Sequence, residues 1–224
     1  MSGHGDLTDT FYGKCAGLYD TVATAPVVRP WRDRCVSTLE LSPGDTVVDM
    51  GCGTGANFPV LRERVGPGGT VVGVDLVGPM LEQARRRITR NGWENVHAVQ
   101  GDATRPPVTA VDALVSTFVV GMFEDPGDAV RSWVRLVRPG GHVTLLNAVR
   151  SGRLACRPLN LGFRVFTRLT APRYRLRLRS PTRDLEHRWA EAVDALFEGT
   201  VDHLEDRLAL GLVVLASGRV PEEL

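Results

Sequence analysis

Lysine is all but missing from this chain of 224 residues: Lys14 stands alone, and arginine supplies the rest of the 27 basic side chains. Aromatic residues make up 6%, with three tyrosines, so there is little to stack against nucleic-acid bases. No apolar run approaches the ~18 residues of a membrane span. The opening stretch MSGHGDLTDT has neither the basic start nor the apolar core of a secretory signal. The four cysteines, Cys15, Cys35, Cys52 and Cys156, show neither C-x-x-C metal spacing nor the density of a disulfide framework. These absences predict no metal site, reduced thiols and a cytoplasmic protein.

What is present is an ordinary globular balance, 43% hydrophobic and 24% charged. The charge is unevenly placed behind a net value of +1. Residues 150–183 hold ten arginines and no acid, whereas elsewhere 17 basic residues face 26 acidic ones, a balance of −9.

Residues 7–40 read as two helices broken at Ala25-Pro26, the first with Phe11, Cys15, Leu18, Tyr19 and Val22 at helical spacing. Short β-branched or apolar runs then predict strands at 46–50, 70–75, 96–100, 111–117 and 142–149. Amphipathic stretches at 56–65, 78–91 and 125–138 predict the helices between them, with Pro59 tolerable only in a first turn. After the arginine-rich stretch come a helix at 182–198 and two strands, 200–206 and 208–217, which with almost no linker must pair antiparallel. Strand and helix alternating in this way predict a mainly parallel sheet with helices on both faces.

The chemistry gathers in DMGCGTGA, residues 49–56, at the end of the first strand. Gly51, Gly53 and Ala56 satisfy the dinucleotide pattern G-x-G-x-x-G/A. Asp49, Gly51, Gly53 and Gly55 satisfy the acid-x-G-x-G-x-G pattern of S-adenosylmethionine sites. Glycines suit both, since ligand must lie against bare backbone there. A carboxylate at Asp49 suits an ammonium group and has no part in holding a pyrophosphate. Asp75, about 20 residues on, could accept from ribose hydroxyls in either case. Asp102, after the third strand, could accept from an adenine amino group, and the fourth strand ends at Ser116-Thr117-Phe118 beneath the expected reactive centre.

The segments VVDMGCGTG, VVGVDLVGPMLEQARRR, VQGDATRPP and LVRPGGHVTLLN, in this order, resemble the class I S-adenosylmethionine-dependent methyltransferases. The resemblance implies a Rossmann-like α/β fold, a seven-stranded mainly parallel sheet with its last strand antiparallel. It also implies a cofactor site built from Asp49, Gly51, Cys52 and Gly53 at the methionine end, Asp75 and Leu76 at ribose and adenine, Asp102 and Ala103 at adenine, with Thr117 and Phe118 below. FYGKCAGLYD, residues 11–20, is similar to the first helix of ubiquinone/menaquinone C-methyltransferase-like members, so Phe11, Tyr12 and Tyr19 are lid candidates as well as candidate core aromatics. The chain is then a single domain: an N-terminal cap (1–42), a cofactor core (43–149), an arginine-rich substrate cap (150–183), and a last helix with closing hairpin (184–224).

Methyl transfer from a sulfonium is a direct displacement that needs chiefly alignment, and no catalytic base stands out. His4 lies in the N-terminal tail, His97 and His142 at strand beginnings, away from the ligand end. His187 and His203 read as surface residues, although His187 could face the acceptor. In the insert, Arg157, Arg164 and Arg168 share a helical face, and RYRLRLR places Arg173, Arg175, Arg177 and Arg179 on one side of an extended segment. Such a strip over residues 157–179 suits an anionic or lipid-like acceptor, or peripheral contact with a membrane, as well as a plain solvated edge. Nucleic acid is disfavoured. Three functions stay open: methyl transfer to a small-molecule or lipid-like acceptor of quinone or phospholipid type, non-catalytic S-adenosylmethionine binding, and NAD-dependent oxidoreduction.

Overall fold

The structure, a computed structural model, describes residues 28–151 and 181–222. Helix α1 (Arg29–Ser37) leads into strand β1 (Thr46–Met50), followed by α2 (Phe58–Val65), β2 (Thr70–Asp75), α3 (Gly78–Asn91), β3 (Val96–Gln100) and β4 (Val111–Thr117). Then come α4 (Pro126–Val134), β5 (Val137–Ala148), α5 (Pro181–Glu198), β6 (Val201–Leu208) and β7 (Val213–Arg219). The seven strands form one sheet in the order β3-β2-β1-β4-β5-β7-β6. All the pairings from β3 across to β5 are parallel, and β7 runs antiparallel between β5 and β6.

The alternation of side chains along the central strands divides the core in two. Val48, Met50, Leu114 and Leu145 face α4 and α5, around the fully buried Trp133 and Leu196. Val47, Ala113, Val115 and Leu146 face α1, α2 and α3, around Phe58, Leu61 and Leu81. Central strands covered on both faces are apolar at nearly every position. The edge strand β6 is exposed instead and carries Asp202, His203, Glu205, Asp206 and Arg207, charges that discourage further strand pairing. Among the described residues no helix is long and apolar enough to cross a membrane.

Two expected boundaries are corrected. The helix expected over 125–138 ends at Val134, because the Leu136 carbonyl accepts from the Val111 amide at 2.9 Å and Val137 already pairs with Val111 in the sheet. Pro139, Gly140 and Gly141 therefore lie inside β5 as an irregularity, between the Val111–Val137 and Ala113–His142 pairs. The strand expected over 208–217 starts at Val213: Ala209, Leu210 and Gly211 have φ of 50°, 57° and 86° and make the hairpin turn. Leucine in that left-handed region is not what turn chemistry suggests.

Candidate functional site

The strand order reverses between β1 and β4, and open α/β sheets bind ligands outside the carboxyl ends of the strands at such a point. The glycine turn lies there. Gly51, Gly53 and Gly55 have φ of 70°, 55° and 73°, a region that favours glycine. A Cβ on Gly51 would also overlap the γ-carbons of Val119, just beyond β4. The turn is tied to β2, since the amides of Gly51 and Cys52 both donate to the Val74 carbonyl, at 2.8 and 3.1 Å. Arg87 of α3 holds the far side by donating to the Gly55 carbonyl at 3.2 Å.

Asp49 sits behind this turn and not on its surface. Its side chain is buried, and both carboxylate oxygens accept from Asn57 Nδ2, at 3.0 and 3.1 Å. Asn57 Nδ2 also reaches Thr117 Oγ1 at 3.1 Å, while Asn57 Oδ1 accepts from Arg32 Nη1 at 2.5 Å. Arg32 is buried too and comes from α1. A chain of polar side chains thus joins α1, β1, the start of α2 and the end of β4. Burial pushes the Asp49 carboxyl up to about 7, against the opposing pull of Asn57 and Arg32. Neither Arg32 nor Asn57 stands out in the sequence. Asn57 directly follows the glycine pattern, which was its one available signal. The Cys52 thiol turns inward against Phe58 and Gly73, and burial raises it well above its ordinary range, so it offers no nucleophile.

Asp75 ends β2 with one oxygen accepting from the Gly53 amide at 2.8 Å and the other from the Val77 amide at 2.9 Å. Its burial raises the carboxyl, and those amide donors act against the rise. Leu76 follows, with 61% of its surface exposed, an apolar side chain left open beside the glycine turn. After β3, Asp102 is exposed and fixed through Oδ1, which accepts from the amide and the hydroxyl of Thr104 at 2.8 Å each. Ala103 is buried, and its carbonyl accepts from Trp133 Nε1 at 2.7 Å. Thr117 is buried within the Asn57 network. Phe118 has φ of 63°, costly for a bulky residue, and its ring lies 5.7 Å from the Arg32 guanidinium.

Of the predicted site residues, Gly51, Gly53, Asp75, Leu76, Asp102 and Phe118 stand at or just beyond the carboxyl ends of β1 to β4. Asp49, Cys52, Ala103 and Thr117 support that end of the sheet from within. The lid candidates Phe11, Tyr12 and Tyr19, and the strip at 157–179, lie outside the described residues. The carboxylates fit a cofactor that brings hydroxyls, an amino group and positive charge. No cluster of metal-binding side chains is found among the described residues.

Across the crevice, beyond β4 and β5, α5 is pinned by two contacts. Arg188 donates to the Gly121 carbonyl at 3.1 Å, and Arg150 makes a two-pronged contact with Glu186, at 3.0 and 3.2 Å. None of the described histidines bonds to the glycine turn or the strand-end carboxylates. His97 is exposed at the start of an edge strand. His142 pairs across the sheet with Arg219 at the opposite end, and burial lowers its pKa. His187 is exposed beside Glu191, 3.3 Å away, and His203 bonds the Thr200 carbonyl and stacks on Phe197.

A family profile described as a methyltransferase domain matches residues 48–145. Nocamycin O-methyltransferase of Saccharothrix syringae is 32% identical over 67% of this chain and 55% of its own length. A ubiquinone/menaquinone biosynthesis C-methyltransferase of Xanthomonas axonopodis pv. citri is 32% identical over 58% of this chain and 52% of its own length. The chain therefore spans about half the length of these relatives. A SAM dependent methyltransferase from Aquifex aeolicus superimposes with a TM-score of 0.64 at 16% identity, over 93% of this chain and 98% of that one, a likeness of fold.

Proposed function

From the premise that this chain carries a class I S-adenosylmethionine-dependent methyltransferase domain, we propose that it methylates a small-molecule acceptor of the quinone or polyketide kind by direct displacement. The observation that carries this reading is the left-handed glycine turn at the switch point of the sheet, with carboxylates at or just beyond the carboxyl ends of β1, β2 and β3. Bound S-adenosylmethionine supplies a methyl group already activated by a sulfonium. The chain's own residues hold and align. Asp75 exchanges an internal amide partner for ribose hydroxyls, Leu76 covers one face of the adenine, and Asp102 accepts from its amino group. Asp49 acts at one remove, bracing through Asn57 the turn that holds the methionine end. The acceptor's electron pair forms the bond to the methyl carbon as the carbon–sulfur bond breaks, and the acceptor's proton passes to water.

The names of the relatives, one an O-methyltransferase and one a C-methyltransferase of quinone biosynthesis, support a small acceptor. We assign acceptor selection to residues 1–42 and 150–183 and cofactor binding to 43–149, and we infer that the arginines of 157–179 serve contact with an anionic membrane surface in the cytoplasm. Calorimetric titration with S-adenosylmethionine, its demethylated product and NAD tests the cofactor. Micromolar binding of the first two, weakened about 10²-fold in Asp75→Ala through loss of two charge-assisted hydrogen bonds, is the expected result. Binding of NAD alone overturns the reading.

A further inference from the structure

Among the described residues, Asn147 is a buried amide near the crevice whose side-chain donor is left unused. It is 6% exposed, and its Nδ2 has no hydrogen-bond partner. Buried donors are nearly always paired, and an exception calls for a reason. Its location supplies one. Asn147 is next to last in β5, paired with Val214, at the carboxyl end where ligands bind. Alternation along the strand points it to the same side as Leu145, toward the layer of α5. Gly121 lies against it, so close that a Cβ there would come within 3.5 Å of Nδ2 and 2.8 Å of Leu185. Gly121 is in turn held by Arg188. The Phe118 amide donates to the Leu146 carbonyl at 2.7 Å, which fixes the end of β4 against the residue before Asn147. Since β4 stands between β1 and β5, Asn147 is two strand spacings, about 10 Å, from the glycine turn. That is the distance at which an acceptor, not the cofactor, would be met.

We propose that Asn147 donates a hydrogen bond from Nδ2 to an oxygen of the methyl acceptor, and that the acceptor is accordingly a phenol, hydroquinone or enol whose oxygen gains negative charge before it, or the carbon conjugated to it, is methylated. This rests on the methyl-transfer reading above and deepens it. Among the described residues, His97 and His142 lie at the starts of their strands, and His187 near the start of α5 is exposed and faces Glu191 at 3.3 Å. A neutral amide donor aimed at the oxygen does part of a base's work by making the acceptor more acidic, and it does so without titrating. The acceptor forms one bond to the methyl carbon, the carbon–sulfur pair returns to sulfur, and the proton leaves to solvent.

The test uses 1,4-dihydroxynaphthalene and 2-naphthol as probes, added under argon to the full chain saturated with S-adenosylhomocysteine, with ultraviolet absorbance followed against pH. Asn147→Leu removes the donor in a similar volume, and Asn147→Ala serves if leucine does not fold. In the wild type the bound probe should ionise at lower pH than in either variant, and its dissociation constant should be roughly tenfold smaller. Turnover of any accepted probe should fall about 10²-fold on substitution. Asn147→Leu should meanwhile melt no lower than the wild type, since it loses no internal bond. Unchanged probe ionisation and affinity in both variants would overturn the role of Asn147. A wild type that binds neither probe would overturn the acceptor class. Calorimetry with S-adenosylmethionine on the same samples separates these results from failure of the methyltransferase reading itself.

Discussion

Asp49 shows how one buried group can set the conditions for ligand binding. Burial raises its carboxyl from 3.8 to about 7, so between these pH values the folded chain holds a proton that the unfolded chain has lost. Folding stability contributed at this position is thus present at low pH and declines as pH rises toward 7. Cofactor binding runs the other way. The ammonium and sulfonium of S-adenosylmethionine favour the ionised carboxylate, so affinity should climb as pH approaches 7, level off above it, and be accompanied below it by release of a proton. Calorimetry in buffers of differing ionisation heat would detect that proton. Asp49→Asn should keep a hydrogen bond to Asn57 yet show flat pH dependence. A wild-type affinity that is flat between pH 6 and 8 would remove the linkage. At this scale the sequence was half legible. Acids and glycines at strand ends stand out because the chemistry of the ligand demands those types at those places. Their partners Arg32 and Asn57 lie 17 residues before and 8 residues after Asp49 and meet only through packing, which no local pattern records.

At the scale of elements, the strands were legible wherever β-branched runs met turn residues, and β1 to β4 fall where those runs lie. What escaped was governed by pairing. Arg138-Pro139-Gly140-Gly141 looks like a free turn, and its incorporation in β5 follows from Val111 and Val137 finding each other across the sheet. Gly141 is the residue that makes this possible, because a Cβ there would strike the backbone carbonyl of Asp112 and overlap Val137 Cγ1 at 2.6 Å. Gly141→Ala should therefore cost about 1–3 kcal/mol, the range of overpacking in a close-packed interior. Gly68, which has open space around it, is the matched control, and Gly68→Ala should be near neutral. Denaturant titration with unchanged m-value would measure both. Equal effects of the two substitutions would show that the irregularity in β5 yields freely.

Over the whole molecule, charge and topology point in the same direction. The parallel strands send all their carboxyl ends to one end of the sheet, and the chain leaves β5 there and returns there at the start of α5. Arg150 and Glu186 clasp the two ends of that excursion together. The stretch 150–183 carries ten arginines and no acid, while the rest of the chain carries −9. A molecule divided in this way should orient at an anionic surface with its acceptor side inward, each arginine near the surface adding about 1 kcal/mol. Sedimentation with phosphatidylglycerol-rich vesicles should capture the protein at low salt and release it as the Debye length shrinks. Phosphatidylcholine vesicles should capture little. Reversing Arg173, Arg175, Arg177 and Arg179 to glutamate should abolish capture and leave S-adenosylmethionine affinity in place, since the described carboxylates and glycines hold that ligand. Capture that survives both salt and charge reversal would make the attachment apolar and detach the arginines from any membrane role. Loss of cofactor affinity on reversal would place the strip within the cofactor site.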